Sequence, residues 1–370
     1  MNQKIRVTRG DIDDPRVDQA IAQQDEETKL RAGMGVRPQT VQKQSLLHSS
    51  WFYLGIAGLV GAFIAWAVII EPNYSEVAVL SSTNDAITLL FIAIIGGMVG
   101  LFIGSTEGIL ARNPGRAVKG GLVGLALGVV GGFVSNQVAN VIYRMLLALG
   151  AQLVLSDGQG LGAGERVPLL LLLVVMFARS LGWGIAGMTV GLGPGIAVKS
   201  KKMVLNGFLG GMLGGLLGGL MFDPVAYLTT GGTLVGEGNL SRAIGTCVVG
   251  AGAGLMIGLV EMFTKDAWLL MTAGPLTGKQ FIIYNNPTFV GSSPKCEIYL
   301  FKDAAIEPFH AAIHKMRDAY EIEDRNSGSG TYVNGARVSR QRLADGDEVR
   351  IGRAVFIYSE RAKRRTGMRA

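Results

Sequence analysis

The side chains that most often carry out chemistry are few in this sequence, and they are not grouped. The three histidines, His48, His310 and His314, show no metal-ligand pairing. Cys247 lies in an apolar run and Cys296 in a segment of short strands, which predicts neither a disulfide nor a zinc site. No glycine run is followed by the Lys-Ser/Thr of a phosphate-binding loop, and no nucleophile motif is present. We therefore predict a protein that is not an enzyme and that carries no cofactor and no metal.

The most regular pattern lies in the C-terminal segment 265–360. Short runs of alternating apolar residues are separated there by turn-forming residues, which is typical of an antiparallel β-sandwich. We therefore predict a small all-β sandwich over these residues. Turn residues and one histidine recur at fixed points between the runs: Gly291, His310, Gly330, Thr331, Asn334, Gly335, Gly346 and Asp347.

These points, in this order, resemble the turn motifs of a forkhead-associated (FHA) domain, a module that reads phosphothreonine peptides. The resemblance covers about residues 268–359. It implies a cytoplasmic protein partner, bound where loops meet at one end of the sandwich. The residues with an implied structural role are Gly291, His310, Gly330, Thr331 and Gly335. The candidate peptide-binding residues are Ser292, Ser293, Arg325, Ser329 and Asn334.

The positions where the FHA family usually holds phosphate are different in this chain. Ser292 stands where the family usually has Arg, Glu307-Pro308 where it has Ser-Arg, and Ser329 where it has Asn. A carboxylate repels phosphate, and serine hydroxyls are weak substitutes for a guanidinium group. We therefore predict an intact sandwich with a degenerate phosphothreonine pocket. The nearby Lys295, Arg325 and Arg337 are expected to be solvated loop charges rather than a rebuilt pocket.

A membrane domain is predicted over residues 51–264. Almost half of the whole chain is apolar and only 17% is charged, and the apolar residues concentrate between Trp51 and Phe263. A helix needs about 20 apolar residues to cross the hydrocarbon layer. The first apolar run follows fifty polar residues, which indicates a true span rather than a signal peptide. The six predicted spans are 51–70, 87–110, 118–142, 173–197, 203–228 and 243–263.

Basic residues in the short loops predict the orientation of these spans. Loops 111–119 and 198–202 each carry three Lys or Arg residues, whereas loop 71–86 carries none. Six spans place both basic loops on the same side as the two termini. We therefore predict a multi-pass protein of the cell inner membrane, with both termini and the sandwich in the cytoplasm.

The membrane segment also contains an internal repeat. Eight glycines, from Gly100 to Gly132, recur at a constant offset of 87 residues. The full units are about 87–143 and 174–230, and 241–263 is interpreted as a half-length third copy. Each full unit is a helix, a basic loop and a second helix, so the units run in the same direction. These motifs do not identify a family for the membrane domain.

Glycines that are spaced four apart lie on one face of a helix. In lipid, such glycine-zipper faces let helix backbones approach closely, and helices associate through that packing. We favour packing within a bundle over a pore lining, and a homo-oligomer is compatible with the same faces. The candidate packing residues are Gly120, Gly124, Gly128, Gly207, Gly211, Gly215 and Gly219.

Glu107 and Glu261 occupy matching repeat positions near the cytoplasmic end of the spans, and the middle copy has Pro194 there. We expect both carboxylates to reach the membrane interface by snorkelling.

Three other polar positions concern the outer half of the spans. Asn136 and Asp223 match by the same offset of 87, and both are expected near the outer interface. Arg179 lies in a long apolar run, and its burial depends on where the fourth span begins. The apolar segment 145–156 is interpreted either as an interfacial segment or as an extension of the third span.

The remaining segments are polar. Residues 1–50 are predicted to be disordered, and the basic tail 361–370 is expected to contact anionic lipid. The net charge of +7 is spread through loops and termini, which indicates a lipid bilayer rather than a nucleic acid as partner. We interpret the chain as a membrane protein that displays a cytoplasmic FHA-like recognition domain and acts as a signalling or assembly scaffold. The alternative is a channel or transporter that its FHA domain regulates.

Overall fold

The computed structural model describes residues 49–71, 85–156, 169–229, 239–317 and 319–361. Within these ranges six long apolar helices precede a β-sandwich, which confirms the predicted fold class. The N-terminal segment 1–48 and the tail 362–370, for which disorder and lipid contact are predicted above, lie outside the described residues.

Each of the six helices contains a stretch that is long and apolar enough to cross a membrane. Helix α3 is 43 residues long and runs without a break to Ser156. Segment 145–156 therefore extends the third helix, and the interfacial alternative is wrong. At 1.5 Å per residue the helix is about 64 Å long, about twice the thickness of a hydrocarbon layer. The helices are α1 (Ser50–Ile64, continued as a π-helix over Ala65–Ile70), α2 (Asp85–Leu110), α3 (Pro114–Ser156), α4 (Leu169–Val198), α5 (Lys201–Thr229) and α6 (Asn239–Thr264).

The helices form a closed ring, because each packs on the next in the chain and α6 packs on α1. Helices α2, α4 and α6 also contact one another inside this ring. Their buried apolar side chains, such as Ile103, Val190 and Ile257, belong to one continuous cluster. The interior of the bundle is therefore apolar over these residues, as dense helix packing requires.

Glycines bring the helices of each pair into backbone contact. A Cβ atom on Gly124 of α3 would overlap the carbonyl oxygen of Gly100 on α2. The same relation holds between Gly211 of α5 and Gly187 of α4. These contacts leave no room for any side chain, which is the packing that small residues allow. The other candidate packing residues also lie against a neighbouring helix: Gly120 and Gly128 against α2, and Gly207, Gly215 and Gly219 against α4.

Helix α1 supplies the partner that the third repeat copy lacks in the sequence. A Cβ on Gly250 of α6 would overlap the carbonyl oxygen of Gly58 on α1, and Gly258 lies against Trp51. The contact position moves down α1 as it moves up α6, so the two helices are antiparallel, like α2–α3 and α4–α5. The segment 241–263, interpreted from sequence as a half unit, thus forms a third antiparallel pair with the first helix of the domain.

The two glycine columns of α5 serve two different neighbours. The column that contains Gly211 faces α4, whereas Gly210, Gly214 and Gly218 lie against Ile257, Ala253 and Val249 of α6. Each column therefore packs against a helix backbone. Within the described residues, neither column lines an opening.

Eleven described strands form the sandwich. One sheet has the order β2-β1-β11-β10-β7-β8 and the other β4-β3-β5-β6-β9. Large side chains such as Leu269, Ile313 and Phe356 fill the space between the sheets. The strands are β1 (Ala267–Ala273), β2 (Gln280–Ile282), β3 (Thr288–Gly291), β4 (Ile298–Tyr299), β5 (Ala311–Lys315), β6 (Tyr320–Asp324), β7 (Thr331–Val333), β8 (Ala336–Val338), β9 (Arg340–Leu343), β10 (Glu348–Ile351) and β11 (Ala354–Glu360).

One strand pair departs from the predicted antiparallel pattern. Strands β3 and β4 pair in parallel, with Val290 opposite Ile298. The connecting loop folds back beside β3, so that the two-residue strand β4 returns in the same direction. This loop carries Ser292 and Ser293.

Candidate functional site

Three loops meet at one end of the sandwich, and serine hydroxyls join them. Ser292, in the β3–β4 loop, donates its hydroxyl to the carbonyl oxygen of Ile306 at 2.8 Å. Ser329, in the β6–β7 loop, donates to the neighbouring carbonyl of Ala305 at 2.6 Å. Both hydroxyl protons are therefore used to hold the β4–β5 loop, and they are not free to bind a phosphate group.

His310 is fully buried and holds two of these loops together. Its Nδ1 accepts a hydrogen bond from the backbone N–H of Glu307 at 3.2 Å. This assigns the ring proton to Nε2, which donates to the carbonyl oxygen of Gly330 at 3.3 Å. Gly291 lies beside this arrangement, where a Cβ atom would overlap the carbonyl oxygen of Pro308. Both residues thus act through the shape of the loops.

Asp324 organises the β6–β7 loop, and the sequence analysis did not single it out. Its carboxylate accepts hydrogen bonds from the N–H and hydroxyl of Ser327, at 3.0 and 2.6 Å, and from the hydroxyl of Thr331 at 2.7 Å. Burial alone would raise the pKa of Asp324, but these hydrogen bonds outweigh it and lower the pKa. An Asp just before a run of Ser, Gly and Asn is a signal for such a turn.

Asn334 begins the tight turn between β7 and β8. It and Gly335 both have positive φ angles, 49° and 82°, as an Asn-Gly hairpin turn requires. The Asn334 side chain donates to Oδ1 of Asp347 at 2.8 Å and accepts from the N–H of Glu348 at 3.0 Å. The turn is exposed, but both ends of this amide are already engaged within the domain.

Arg325 and an aromatic pair form the accessible part of the loop end. The Arg325 guanidinium lies 5.9 Å from the ring of Phe289. That ring meets Phe309 edge-on at 5.6 Å, and Phe309 is 42% exposed. Ser293 lies nearby, half-buried, and its hydroxyl accepts from the N–H of Lys295 at 3.3 Å. A partner would therefore meet a cation and an aromatic side chain here.

Other groups near the loops carry no accessible nucleophile. Arg337 is exposed, and its Nη2 donates to the carbonyl oxygen of Ser327 at 3.2 Å. Cys296 is fully buried beneath the β3–β4 loop. Burial raises the pKa of the Cys296 thiol to about 11, so the reactive thiolate is scarce at neutral pH.

The β3–β4 loop also contacts the helices. The Asn113 side-chain amide donates to the carbonyl oxygen of Pro294 at 2.8 Å, and Arg116 Nη1 donates to that of Glu297 at 2.9 Å. Asn113 is 3% exposed. Its Oδ1 also accepts from the N–H of Arg116 at 3.0 Å and so caps α3. The sequence predicted only a topological role for loop 111–119, whereas this loop binds the sandwich.

The sandwich also contacts the ends of α2 and α6. The Tyr284 hydroxyl donates to Oε1 of Glu261 at 2.7 Å, and Nζ of Lys279 lies 3.3 Å from Oε1 of Glu107. Burial and the Glu261 charge raise the pKa of Tyr284. Glu107 and Glu261 therefore meet partners in the sandwich, whereas snorkelling alone was expected for them.

Arg179 and Asp223 form an ion pair between α4 and α5 at 3.1 Å, and the Asp223 side chain is 3% exposed. The expectation that Asp223 reaches the interface by itself is wrong. The start of α4 lies beside the end of α5, so the two charges satisfy each other.

The sandwich matches known proteins. The FHA domain family matches over residues 288–352. An oxoglutarate dehydrogenase inhibitor of Corynebacterium jeikeium is 32% identical over 98 residues, which are 26% of this chain and 67% of that protein. The glycogen accumulation regulator GarA of Mycolicibacterium smegmatis is 30% identical over 105 residues, 28% of this chain and 66% of that protein. The matches thus span about two thirds of these relatives and leave the helices unmatched.

A solved FHA domain of Chlamydia trachomatis is 27% identical and covers 26% of this chain and 100% of its own length, with a TM-score of 0.25. The order of the strands, the loop-holding histidine and the Gly-Thr and Asn-Gly turns are all placed as described above. This chain therefore belongs to the family of FHA-domain proteins, and its FHA domain follows six long apolar helices.

Proposed function

We propose that this protein is anchored in the cell inner membrane by its helices and uses its FHA domain to recognise a protein on the cytoplasmic side. It acts as a signalling or assembly scaffold and not as an enzyme. The observation that carries this proposal is the presence, in one chain, of an FHA domain and six apolar helices that contact it through Asn113, Glu107 and Glu261. The relatives named above are an inhibitor and a regulator, which fits a binding role.

The orientation is supported by two loops that lie on the sandwich side of the bundle. Arg116 of loop 111–119 contacts the carbonyl oxygen of Glu297, and Lys202 of the α4–α5 loop forms an ion pair with Asp266 at 2.8 Å. Both loops are rich in Lys and Arg, which favour the cytoplasm. Sandwich, basic loops and both termini then share the cytoplasmic side.

The recognition surface is proposed to be the loop end with Ser292, Ser293, Arg325, Ser329 and Asn334. Three of these residues have side chains that hydrogen-bond within the domain. We therefore expect a partner to be recognised through Arg325 and the nearby Phe309, with phosphate contributing little. Cation and aromatic groups are well suited to anchoring a protein partner.

Capture of a cytosolic protein on the full-length chain in lipid nanodiscs tests this proposal. The wild type should retain a partner, and Phe309→Ala combined with Arg325→Ala should lose it. Arg342→Ala, an exposed arginine on β9, is the matched control and should retain it. Equal capture by all three proteins would remove the loop end as the binding surface.

Conduction is the competing function, and the apolar interior argues against it. The inner helices α2, α4 and α6 contact one another through buried residues such as Ile103, Val190 and Ile257. Ions cross such an apolar layer at a high energetic cost. Ion flux through reconstituted protein above that of empty vesicles would favour the channel instead.

A further inference from the structure

The junction between the helices and the sandwich encloses two adjoining cavities of about 50 and 30 Å³. They share a wall formed by Tyr53, Glu107, Met203, Glu261 and Tyr284, and we refer to them together as the chamber. A water molecule needs about 10–15 Å³ of such space. The chamber therefore has room for a few water-sized groups.

The charges around the chamber do not balance. Among the described residues that line it, Glu107, Glu261 and Glu297 are acidic and Arg116 is basic. Lys279 adds one more positive charge, because its Nζ lies 3.3 Å from Oε1 of Glu107. Three carboxylates thus face two cations, which leaves one negative charge in excess.

Glu261 is the carboxylate that carries this excess. Within the described part of the chain, no basic side chain lies within ion-pair distance of it, and its Oε1 accepts from the Tyr284 hydroxyl at 2.7 Å. The neighbouring Lys265 is engaged elsewhere. Its Nζ donates to Oε1 of Gln280 at 2.7 Å and lies 4.1 Å from the centre of the Trp268 ring. A buried carboxylate without a counter-charge is costly, and proteins neutralise it with a proton or a cation.

Asn206 on α5 provides a second and independent observation. It lines the chamber and is 5% exposed. Its Nδ2 has no hydrogen-bond partner within the described residues. A buried amide donor needs an acceptor. The oxygen of a water molecule that is bound to a cation, or of hydronium, would accept from Asn206 while its positive charge faces Glu261.

From these observations we propose that the chamber binds one small cation, which is either hydronium or a hydrated Na⁺ or K⁺ ion. Glu261 is the charge partner, Glu107 lies beside it, and Asn206 holds the oxygen. The site goes beyond the proposed recognition function and does not depend on it. Since Tyr284 of the sandwich also binds Glu261, an occupied site strengthens the contact between the sandwich and the helices.

The test uses full-length protein in phosphatidylcholine nanodiscs. Thermal unfolding is followed in NaCl, KCl or choline chloride at equal ionic strength, and infrared difference spectra across pH report protonated carboxyl groups. The variants are Glu261→Gln, which keeps an acceptor for Tyr284, and Asn206→Leu, which fills the space of the amide with an apolar side chain. Glu348→Gln on β10 is the control outside the chamber.

For a metal cation, NaCl or KCl should raise the unfolding midpoint above its value in choline chloride, and both chamber variants should lose this rise. For a proton, salt identity should have no effect. The wild type should then show a protonated carboxyl band at neutral pH that disappears in Glu261→Gln and shifts in Asn206→Leu. The Glu348→Gln control should match the wild type in both cases. If the wild type shows neither the selective rise nor the band, the proposal is wrong. The same holds if Glu261→Gln and Asn206→Leu both leave the signal unchanged.

Discussion

The side-chain amide of Asn113 donates a hydrogen bond to the carbonyl oxygen of Pro294 at 2.8 Å, and this bond joins the α2–α3 loop to the β3–β4 loop of the sandwich. The equivalent residue of the next repeat is Ser200, 87 positions later, which caps α5 through its hydroxyl. Both residues act as helix caps, but only asparagine has an amide that also reaches the sandwich. The β3–β4 loop, which carries Ser292 and Ser293, is thus held by the helix domain.

Asn113→Ala should loosen this loop. The substitution removes the cap of α3 and the bond to Pro294, which together we expect to destabilise the local structure by about 1–2 kcal/mol. Faster amide hydrogen exchange in residues 291–297 of the full-length protein would report the change. Lys119→Ala, an exposed position on the same helix, is the control and should leave exchange unchanged.

Gly215→Ala should disrupt the helix bundle. A Cβ at Gly215 would overlap the carbonyl oxygen of Trp183, and overpacking of this kind costs about 1–3 kcal/mol. Gly115→Ala is the matched control, because that glycine is exposed and helical and its added Cβ would be 3.7 Å from the nearest atom. Thermal unfolding in nanodiscs should show a lower midpoint for Gly215→Ala alone. Equal midpoints for the two variants would contradict the packing role.

The membrane topology can be measured with cysteine accessibility. Loops 111–119 and 198–202 and residue 300 should be labelled from the cytoplasm, and loops 71–86 and 229–242 from the outside. The reason is the concentration of Lys and Arg in the first two loops. Cytoplasmic labelling at Glu76 would contradict the six-span arrangement.

The wild-type protein should bind phosphothreonine peptides weakly or not at all. The Ser292 and Ser329 hydroxyls are committed to loop carbonyls, and the exposed Glu307 repels phosphate. The double change Ser292→Arg with Glu307→Ser should create or strengthen binding, because it adds a guanidinium group and removes a negative charge. Calorimetric titration of both proteins measures this. Micromolar affinity of the wild type, lost on dephosphorylation of the peptide, would overturn the degenerate pocket.

The sandwich should lose stability in acid through Asp324. Its pKa is lowered in the folded state, because the hydrogen bonds from Ser327 and Thr331 outweigh the effect of burial. Its contribution should therefore be complete above the unfolded-state pKa of about 3.9, and it should disappear as pH falls through the lower folded-state value. Asp324→Asn should lower the unfolding midpoint at pH 7 and flatten its dependence on pH below about 4. An unchanged acid dependence would show that another carboxylate is responsible.

The sequence alone determined the elements of this protein, because they depend on local patterns. Apolar runs of sufficient length specified the six helices, and alternating runs between turn residues specified the strands. Positive φ angles at Gly330, Asn334 and Gly335 occur where the turn motifs predict them. The glycine spacing identified the faces on which the helices meet, since a period of four residues defines a face without knowledge of the neighbour.

Only the tertiary structure decided which neighbour each face and loop meets. The pairing of α1 with α6 joins residues that are almost 200 positions apart, such as Gly58 and Gly250, and no local period encodes it. The same is true of the bonds from Asn113 to Pro294 and from Tyr284 to Glu261. The hydroxyl of a serine is equally able to bind a ligand or a backbone carbonyl. Its use at Ser292 and Ser329 therefore became visible only once the three loops had been brought together.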